Sequence, residues 1–517
     1  MKNNISLQQQ ASFTRSEIFI TLIIVLLSFV IRVIRLDIPH DWSFDEVYHS
    51  LSAEAYALND PRGYEWFNSS PKDLAWEWLH PPLGKLMMGL SIKLLATPYI
   101  PESKSAPLDG RTTFAWRFPG TIFAALTVGL LIIFGKKLFN KFWIGAVAGT
   151  LYALDGLSFV QSRTGMNDIY ITFFTLLTFY CIYLLLSQNP KHVYRNLLWI
   201  GLSAGLAASS KWSGFYAVGI ACVLGLGFVL KRRGILLLGW LFVVAGFVFY
   251  SLKNFSLSFD LLSKNFIWFS LVAVSVGAII LLISNKNKLL GVWTAVCLVV
   301  LPVVVYVSAY GQWWLQKHTI EQFYQLHQQI WWYQTRLKAT HGYQSPALSW
   351  PILWRPVWFY VKYQDHFDAA GNKTLYIGNI YTMGNPVVWW AGLIAILYGV
   401  WQAIFAIWNK IEEYDQKNVH LRQICILLIG YFGMFLPWAV SPRIMFLYHY
   451  LPSVPFLCLL LAYGLWKIRE RGGIGEIGVR IFLGLVVAVF IFYYPHWSAL
   501  PLPQDWVKYY YWLPSWK

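Results

Sequence analysis

The stretch IFITLIIVLLSFVIRVIRLDIPHDWSFDEVYHS, residues 18–50, begins as an apolar run and ends with two adjacent carboxylates, Asp45 and Glu46. About 20 apolar residues cross a bilayer as a helix, so the run predicts a membrane span over 18–36. It lacks a small-residue cleavage site, and we interpret it as a retained anchor rather than a signal peptide. The acidic pair therefore lies beside the first span, and its role depends on which side of the membrane it faces.

The composition indicates that lipid surrounds much of the chain. Of its 517 residues, 57% are hydrophobic and only 13% are charged, whereas soluble domains carry roughly 25% charged residues. The net charge of +17 is divided among short clusters between apolar runs, which argues against a nucleic-acid-binding stripe. All five cysteines fall inside apolar runs without paired or metal-ligand spacing, so we expect core residues rather than disulfides or a zinc site.

Hydropathy predicts thirteen membrane spans, and the charges between them predict the topology. The predicted spans are 18–36, 117–135, 142–159, 167–187, 197–212, 214–230, 235–252, 266–284, 290–309, 387–408, 424–440, 446–466 and 478–494. Lys/Arg clusters occupy every second connection, which places those connections and the N-terminus in the cytoplasm. The carboxylate pair then faces outward from a multi-pass protein of the cell (plasma or inner) membrane.

Two outer segments, 37–116 and 311–386, are long enough to carry structure of their own. In the first, residues 83–96 (LGKLMMGLSIKLLA) are apolar but short, and counting them as a span would move every basic cluster outside. They predict an amphipathic helix in the membrane interface, starting after Pro81 and Pro82, with Lys85, Gly89 and Lys93 along one edge.

The second outer segment predicts another interfacial helix. Its large apolar residues recur at spacings that fit one helical face: Trp313, Ile320, Phe323, Ile330 and Trp331. A plain aromatic belt and a functional surface both fit this pattern. We therefore divide the chain into an N-terminal catalytic membrane module (1–310), an outer loop with an interfacial helix (311–386) and a C-terminal four-helix membrane module (387–517).

The carboxylate pair suggests acid–base chemistry, because neighbouring residues on a regular helix cannot point the same way. One carboxylate can face a cavity while the other fixes the backbone or a second substrate. Poor solvation beside the bilayer raises the pKa of a carboxyl group and makes it a better base. The alternative is purely structural, because Ser43 and Glu46 have the S-x-x-E spacing of a capping box.

Further charged residues lie at the outer ends of predicted spans, namely Arg32, Arg35, Arg117, Arg163, Asp168, Lys211 and Arg443, with His449 beside the last of them. Cations gathered on one membrane face suit an anionic lipid phosphate as leaving group. For any single residue, snorkelling to the interface is the structural alternative. No His/Asp cluster has firm metal-ligand spacing, so we predict no obligate metal and leave a divalent cation open.

An ordered set of motifs resembles the protein O-mannosyltransferase family of the glycosyltransferase C superfamily. The motifs are FDEVYH, HPPLGK, WRFPG, DGLSFVQSRTGMNDIYITFF, ASSKWSGFY, HGYQSPALSWPILWRPV, GNPVVWW and SPRIMFLYHYLPSVPF, spread over about residues 15–470. The resemblance implies an all-α polytopic membrane fold of glycosyltransferase C type. It has about thirteen transmembrane helices and extracytoplasmic amphipathic helices at the membrane surface.

The implied activity is inverting transfer of mannose from polyprenyl-phosphate-mannose to Ser/Thr hydroxyls of secreted or membrane proteins. The acceptors would be unfolded or still in translocation, and the lipid-linked sugar is a substrate rather than a cofactor. Two departures from the family are visible. The β-trefoil domain that eukaryotic members insert in the central outer loop is missing, and Gly342 stands where relatives tend to have proline.

The resemblance also implies a role for each candidate residue. Asp45 would be the base for the acceptor hydroxyl, and Glu46 would hold the acceptor or the catalytic loop. The residues implied around the donor phosphate and sugar are Asp168, Arg163, Arg117, Lys211, Arg443 and His449, some of them with structural roles. The residues implied to frame the cavity are His80, Lys85, Tyr343 and Gln344.

Two other functions are weighed against this one. A lipid-directed glycosyltransferase of the aminoarabinose (lipid A) type shares the acidic first outer loop but resembles HPPLGK less well. A transporter predicts charged residues near mid-span and inverted repeats with Gly/Pro-broken helices. The informative charges here lie at span ends, and no repeat is visible, so the sequence favours the mannosyltransferase.

Overall fold

A computed structural model describes residues 12–187, 192–230, 288–367, 369, 371–408 and 420–517. The predicted spans 235–252 and 266–284 lie outside these residues. The chain forms two compact units, one of Met1–Leu79, Gly84–Phe173 and Gln316–Lys517, the other of His80–Leu83 and Phe174–Leu315. The first and last parts of the chain thus share one unit, and the predicted modules 1–310, 311–386 and 387–517 stay a prediction.

The first unit carries most of the described helices. They are α1 (Arg15–Val33), α2 (Glu46–Leu58), α3 (Leu83–Leu95), α4 (Gly110–Phe139), α5 (Phe142–Ala153), α6 (Gly156–Ser162), the start of α7 (Asp168–Ser187), α13 (Ile320–Arg336), α14 (Pro386–Trp408), α15 (Leu421–Phe435), α16 (Val454–Arg469), α17 (Gly473–Trp497) and α18 (Gln504–Val507). Short 3-10 turns cover Pro61–Tyr64, Ala347–Ser349, Leu436–Val440, Leu447–Ser453, Lys508–Tyr510 and Pro514–Trp516.

The second unit contains the rest of α7 together with α8 (Val193–Ser210), α9 (Gly214–Leu230), α10 (Lys288–Ala295), a π-turn (Val296–Val300), α11 (Leu301–Ala309) and α12 (Gly311–Leu315). Its core is aliphatic and includes Ile182, Leu197 and Ile200. Cys181 and Cys297 are buried in the same core, and no disulfide joins the five cysteines, all of which lie among the described residues. The prediction that the cysteines are core residues is confirmed for Cys181, Cys297 and Cys458, which are buried.

Eight helices among the described residues are long and apolar enough to cross a membrane, and a bent pair would make a ninth. This supports a polytopic membrane protein, but thirteen spans are not confirmed. Close helix packing depends on small residues. A Cβ on Gly145 of α5 would come within 2.2 Å of the Ile132 carbonyl oxygen of α4, so glycine lets the two backbones touch.

The predicted span 142–159 is broken. Helices α5 and α6 meet at an angle of 62°, and Asp155 lies at the break as the N-cap of α6. Its buried carboxylate accepts hydrogen bonds from the backbone N–H groups of Ser158 and Asn385 and from Trp389 Nε1. The sequence analysis did not single out this carboxylate, which stabilises a break within the predicted span.

The fold is not entirely helical, which corrects the all-α prediction. The second outer segment contains an antiparallel hairpin of β1 (Val357–Phe367) and β2 (Lys373–Thr382), and β3 (Leu502–Pro503) pairs with β2. A bulge between Trp358 and Tyr360 interrupts the register. Strand β1 is rich in aromatic and β-branched residues, which favour strands, and this signal was missed.

The predicted interfacial helix of the second outer segment is also two helices rather than one. Trp313 belongs to α12 and the later residues to α13, with a break between them. Within α13, Ile320 is 80% exposed while Ile330 is fully buried. The four predicted residues on α13 still fit one helical face, and this face is exposed at Ile320 and buried at Ile330.

Candidate active site

The two carboxylates lie where the chain turns into α2. Asp45 is the N-cap of that helix and Glu46 is its first residue. The carboxylates point to different partners, Asp45 to Tyr448 and Glu46 to Arg117. The prediction that the pair diverges is confirmed.

Glu46 is fully buried and accepts five hydrogen bonds. Its Oε1 accepts from Trp116 Nε1 (2.7 Å), Arg117 Nε (2.8 Å) and the Gly165 backbone N–H (2.9 Å). Its Oε2 accepts from Arg117 Nη2 (2.8 Å) and the Ser43 backbone N–H (2.9 Å). Such a saturated carboxylate has no vacant position for a substrate and instead joins the 43–46 turn to the loop before α7.

Only half of the predicted capping box forms. Glu46 does reach back to the Ser43 N–H, but the helix begins at Glu46 itself, and Ser43 Oγ has no hydrogen-bond partner among the described residues. Phe44 adopts a left-handed conformation (φ +54°), which costs a bulky residue on the order of 1 kcal/mol. The carboxylate of Glu46 holds this turn in place of a complete cap.

Arg117 is buried, and all its donor groups are engaged within the protein. Two bond Glu46, and the others bond backbone carbonyls of the chain between α1 and α2, those of Leu36, Asp37, Pro39 and Asp41. This geometry favours the structural role over phosphate binding, because no N–H is left to bind a ligand.

Arg163 also binds backbone. Its guanidinium donates to the carbonyl oxygens of Arg32 (2.5 Å), Ile34 (2.7 Å) and Arg35 (2.9 Å), at the C-terminal end of α1. A cation there complements the negative end of the helix dipole. Arg163 therefore anchors α1 to the loop that follows α6, which is a structural role.

Asp45 lies beside an aromatic layer. Tyr448 donates its hydroxyl to Asp45 Oδ2 at 3.2 Å. The Phe44 ring stacks on Phe359 of β1, with ring centroids 4.8 Å apart and planes 7° apart. Phe446 lies edge-on to Phe44 at 5.5 Å and stacks with Tyr448. The candidate base is thus held by residues from the start of the chain, from the hairpin and from the segment before α16.

Two further predicted residues act on the same tyrosine. Tyr448 interacts electrostatically with Asp45, Asp168 and Arg443. Arg443 donates to the Gln334 side chain, and its guanidinium lies 5.8 Å from the centre of the Tyr333 ring. Asp168 and Arg443 therefore both act on the tyrosine that donates to Asp45, and their assignment to the donor phosphate and sugar stays a prediction.

Lys85, predicted to frame the cavity, is fully buried. Its ammonium donates to both the backbone oxygen and the carboxylate of Glu77, and burial lowers the pKa of Lys85 while Glu77 opposes the shift. His49 lies 3.7 Å from the same carboxylate and contacts Asn167. Lys85 thus joins α3 to the segment before it through a buried ion pair with Glu77, whose carboxylate also lies near His49 of α2, and it does not lie on an open edge of α3.

The remaining predicted residues lie in different settings. His449 is buried between the rings of Trp350 and Trp438, which is a packing position. Tyr343 is half-buried beside Arg355, and Gln344 is exposed. His80 and Lys211 belong to the second unit, where Lys211 is the buried C-cap of α8.

Comparison with known proteins identifies the family of this chain. The family model described as dolichyl-phosphate-mannose-protein mannosyltransferase matches residues 22–252, and that of the C-terminal four-TMM region of protein-O-mannosyltransferase matches residues 319–516. The chain belongs to the protein O-mannosyltransferase family. It is a glycosyltransferase, as the motifs indicated.

Relatives of this mannosyltransferase extend over nearly its whole length. The polyprenol-phosphate-mannose–protein mannosyltransferase of Mycobacterium tuberculosis is 23% identical over 477 residues, which cover 85% of this chain and 81% of that protein. The protein of the same name from Mycolicibacterium smegmatis is 24% identical over 557 residues, covering 96% and 92%.

A solved structure shows the same fold in a family member. The Saccharomyces cerevisiae protein O-mannosyltransferase Pmt1–Pmt2 complex bound to the sugar donor matches with a TM-score of 0.73 at 15% identity, covering 98% of this chain and 93% of that one. The predicted fold type is supported by this match, the hairpin corrects the all-α prediction, and the count of thirteen spans stays a prediction.

Two site residues escaped the sequence analysis. Tyr448 lies in a quoted motif, SPRIMFLYHYLPSVPF, yet its contact with Asp45 joins positions 403 residues apart, and no local pattern predicts that pairing. Glu77 could have been found, because a carboxylate eight residues before Lys85 in an otherwise apolar stretch needs a buried partner.

Proposed function

We propose that this mannosyltransferase moves mannose from polyprenyl-phosphate-mannose to Ser/Thr hydroxyls of protein acceptors, with Asp45 as the base. The observation that carries the proposal is that the two adjacent carboxylates contact different partners. The carboxylate of Glu46 is saturated by Arg117, Trp116 and backbone N–H groups, whereas Asp45 Oδ2 accepts from the hydroxyl of Tyr448. Glu46 therefore holds the turn that carries Asp45, and we assign the removal of the acceptor proton to Asp45.

The bonds made and broken follow from these positions. The acceptor oxygen attacks the anomeric carbon in line, its proton passes to Asp45, and the bond from that carbon to the phosphate oxygen breaks. The lipid phosphate leaves with the electron pair and needs a cation rather than an acid to stabilise its charge. Arg443, held beside Tyr333 by Gln334, is the cation we assign to it.

The topology and the substrates complete the proposal. We assign the active site to the extracytoplasmic face of the cell membrane and the N-terminus to the cytoplasm, because the basic connections alternate along the chain. The acceptors are unfolded or translocating proteins, and no obligate metal is invoked. The curated relatives favour this activity over lipid-directed transfer.

A deletion strain tests the proposal. We expect loss of mannose from Ser/Thr of secreted and membrane proteins, measured by glycopeptide mass spectrometry, with unchanged lipid glycosylation. Intact glycoproteins with an altered lipid A would refute the proposal and support the lipid-directed alternative.

The role of Arg443 has its own test. Arg443→Ala should raise the apparent KM for the lipid donor with a smaller effect on the peptide KM. Arg480→Ala is a matched control, since Arg480 is exposed and pairs only with Glu476 four residues earlier among the described residues. Equal donor KM values in the two variants would remove Arg443 from the donor site.

A further inference from the structure

Strand β1 forms one edge of the sheet. The strand order is β1-β2-β3, and no strand among the described residues pairs with the other side of β1. The strand has eleven residues, of which 362–367 are exposed. Six extended residues span about 20 Å, so the edge presents a row of backbone N–H and C=O groups of that length.

Natural sheets usually protect such an edge, because it pairs readily with any extended chain. Among the described residues, charged side chains on the hairpin provide this protection. Lys362 is exposed, and Asp365 pairs with Lys373 across the hairpin at 2.9 Å. These side chains discourage aggregation but leave the main-chain groups of the edge accessible.

The base of β1 is continuous with the candidate active site. Phe359 stacks on Phe44, the residue before Asp45, and lies 5.9 Å from the ring of Tyr448. Burial raises the pKa of Tyr360 to about 12, and the nearby carboxylate of Asp41 contributes to this shift. A chain following β1 from its exposed end is therefore led toward the 41–46 turn.

This direction fits the acceptor that the proposed function requires. A polypeptide that is unfolded or in translocation is extended and has unsatisfied backbone groups. Pairing with a sheet edge takes its affinity from the main chain and little from side chains. An enzyme that uses such an edge can modify Ser or Thr in many sequence contexts.

We propose that the free edge of β1, residues 361–367, binds the acceptor polypeptide as an added antiparallel or parallel strand and delivers its Ser/Thr to Asp45. This inference rests on the proposed function and adds the site and the mode of acceptor recognition. Residues of the acceptor on one side of the modified hydroxyl make the pairing.

N-methylated peptides test the proposal from the substrate side. The probes are one Thr-containing peptide and its variants, each with a single backbone N-methyl group, assayed with the full-length protein and polyprenyl-phosphate-mannose. In a paired strand, alternate N–H groups face the partner. We expect N-methylation to raise the peptide KM about five- to tenfold at every second position on one side of the Thr, with little effect between.

The outcomes separate this inference from the proposed function. If the unmethylated peptide receives no mannose, the proposed function fails. If it is mannosylated and all N-methyl variants keep its KM, or lose activity without a period of two, the edge does not bind the acceptor and the inference is wrong.

Proline substitutions test the same edge from the protein side. Proline is tolerated in an edge strand only where its position does not donate to the neighbouring strand. Among Lys362→Pro, Tyr363→Pro, Gln364→Pro and Asp365→Pro, we expect one alternate pair to keep the wild-type Tm and raise the peptide KM. The other pair should lower Tm, because it breaks the pairing with β2. The matching alanine variants are controls and should keep both values.

Two results would overturn the proposal. The first is that the proline variants that keep their Tm also keep the wild-type peptide KM, or that the alanine controls raise the peptide KM as much as proline does. The other is a changed oligomeric state of those variants with unchanged peptide KM, which would assign the edge to a second copy of the chain.

Discussion

We expect loss of the buried Glu46–Arg117 ion pair to lower the free energy of unfolding by several kcal/mol, and the Glu46→Gln variant measures this loss. The substitution keeps the size of the side chain but replaces one carboxylate oxygen by an NH2 group. In either orientation the NH2 group faces N–H donors. At the Oε2 position these are Arg117 Nη2 and the Ser43 backbone N–H; at the Oε1 position they are Arg117 Nε, Trp116 Nε1 and the Gly165 backbone N–H. Removing one partner of a buried ion pair costs about 3–5 kcal/mol. Because four backbone carbonyls still hold the guanidinium, we expect about 3 kcal/mol.

A double-mutant cycle separates the interaction from the loss of either residue. The variants are Glu46→Leu, Arg117→Leu and the two together, each unfolded thermally in detergent. A buried charge left alone is the main cost of each single substitution, so the double variant should be less destabilised than the sum of the two. Additive losses would show that the pair is not coupled, and a Glu46→Gln variant with wild-type Tm and activity would refute the structural role of Glu46.

Three further predictions concern groups near this site. Tyr448→Phe removes a hydrogen bond that stabilises the Asp45 carboxylate, so the acid limb of the kcat–pH profile should move to higher pH by about one unit; an unmoved limb would contradict this contact. Burial raises the pKa of Glu54 to about 8 from 4.5, so the folded protein retains a proton that the unfolded chain loses, and stability should fall as the pH rises from about 4.5 to about 8 by up to about 4 kcal/mol. Glu54→Gln should flatten that Tm–pH curve, and an equal slope in both proteins would contradict the prediction. Lys85→Met removes the ammonium from the buried carboxylate of Glu77, which keeps His49 at 3.7 Å, and should lower stability by about 3 kcal/mol, with Glu77→Gln restoring part of it; a wild-type Tm for the single variant would refute the ion pair.

The sequence predicted what local pattern and charge can specify. The apolar runs located α1, α7, α14, α15 and α17 to within about five residues at each end, because a membrane span needs a continuous apolar stretch. The predicted starts of α4 and α16 are less accurate, since α4 begins at Gly110 and α16 at Val454. The divergence of Asp45 and Glu46 followed from helical geometry, and the ordered motifs indicated the family. These are properties of short stretches, which a single sequence contains in full.

Other features were missed where distant segments meet. The sequence does not reveal the backbone carbonyls that Arg117 and Arg163 contact, so it could not choose between a phosphate contact and a structural role for Arg117. Lys85 appeared to lie on an open edge because its partner Glu77 precedes the helix. The break at Asp155 was missed because Asn385 and Trp389, two of the partners of its carboxylate, lie more than 200 positions away.

The hairpin was missed for a different reason. Strand β1 has the composition of a strand, but the aromatic residues around it also fit an interfacial belt, and the family resemblance implied a helical fold. Only its pairing with β2 decides between these interpretations. The consequence for function is direct, because β1 brings Phe359 to the turn that carries Asp45.

The central claim is that Asp45 takes the proton of the acceptor hydroxyl, and one assay tests it most directly. Purified wild-type protein, Asp45→Asn and the matched control Asp505→Asn, which changes an exposed aspartate, are given polyprenyl-phosphate-mannose labelled in the sugar and a Ser/Thr peptide. We predict transfer by the wild type and the control, and a rate for Asp45→Asn lower by about 10²–10⁴ with donor binding retained. Transfer by Asp45→Asn at the wild-type rate would contradict the account.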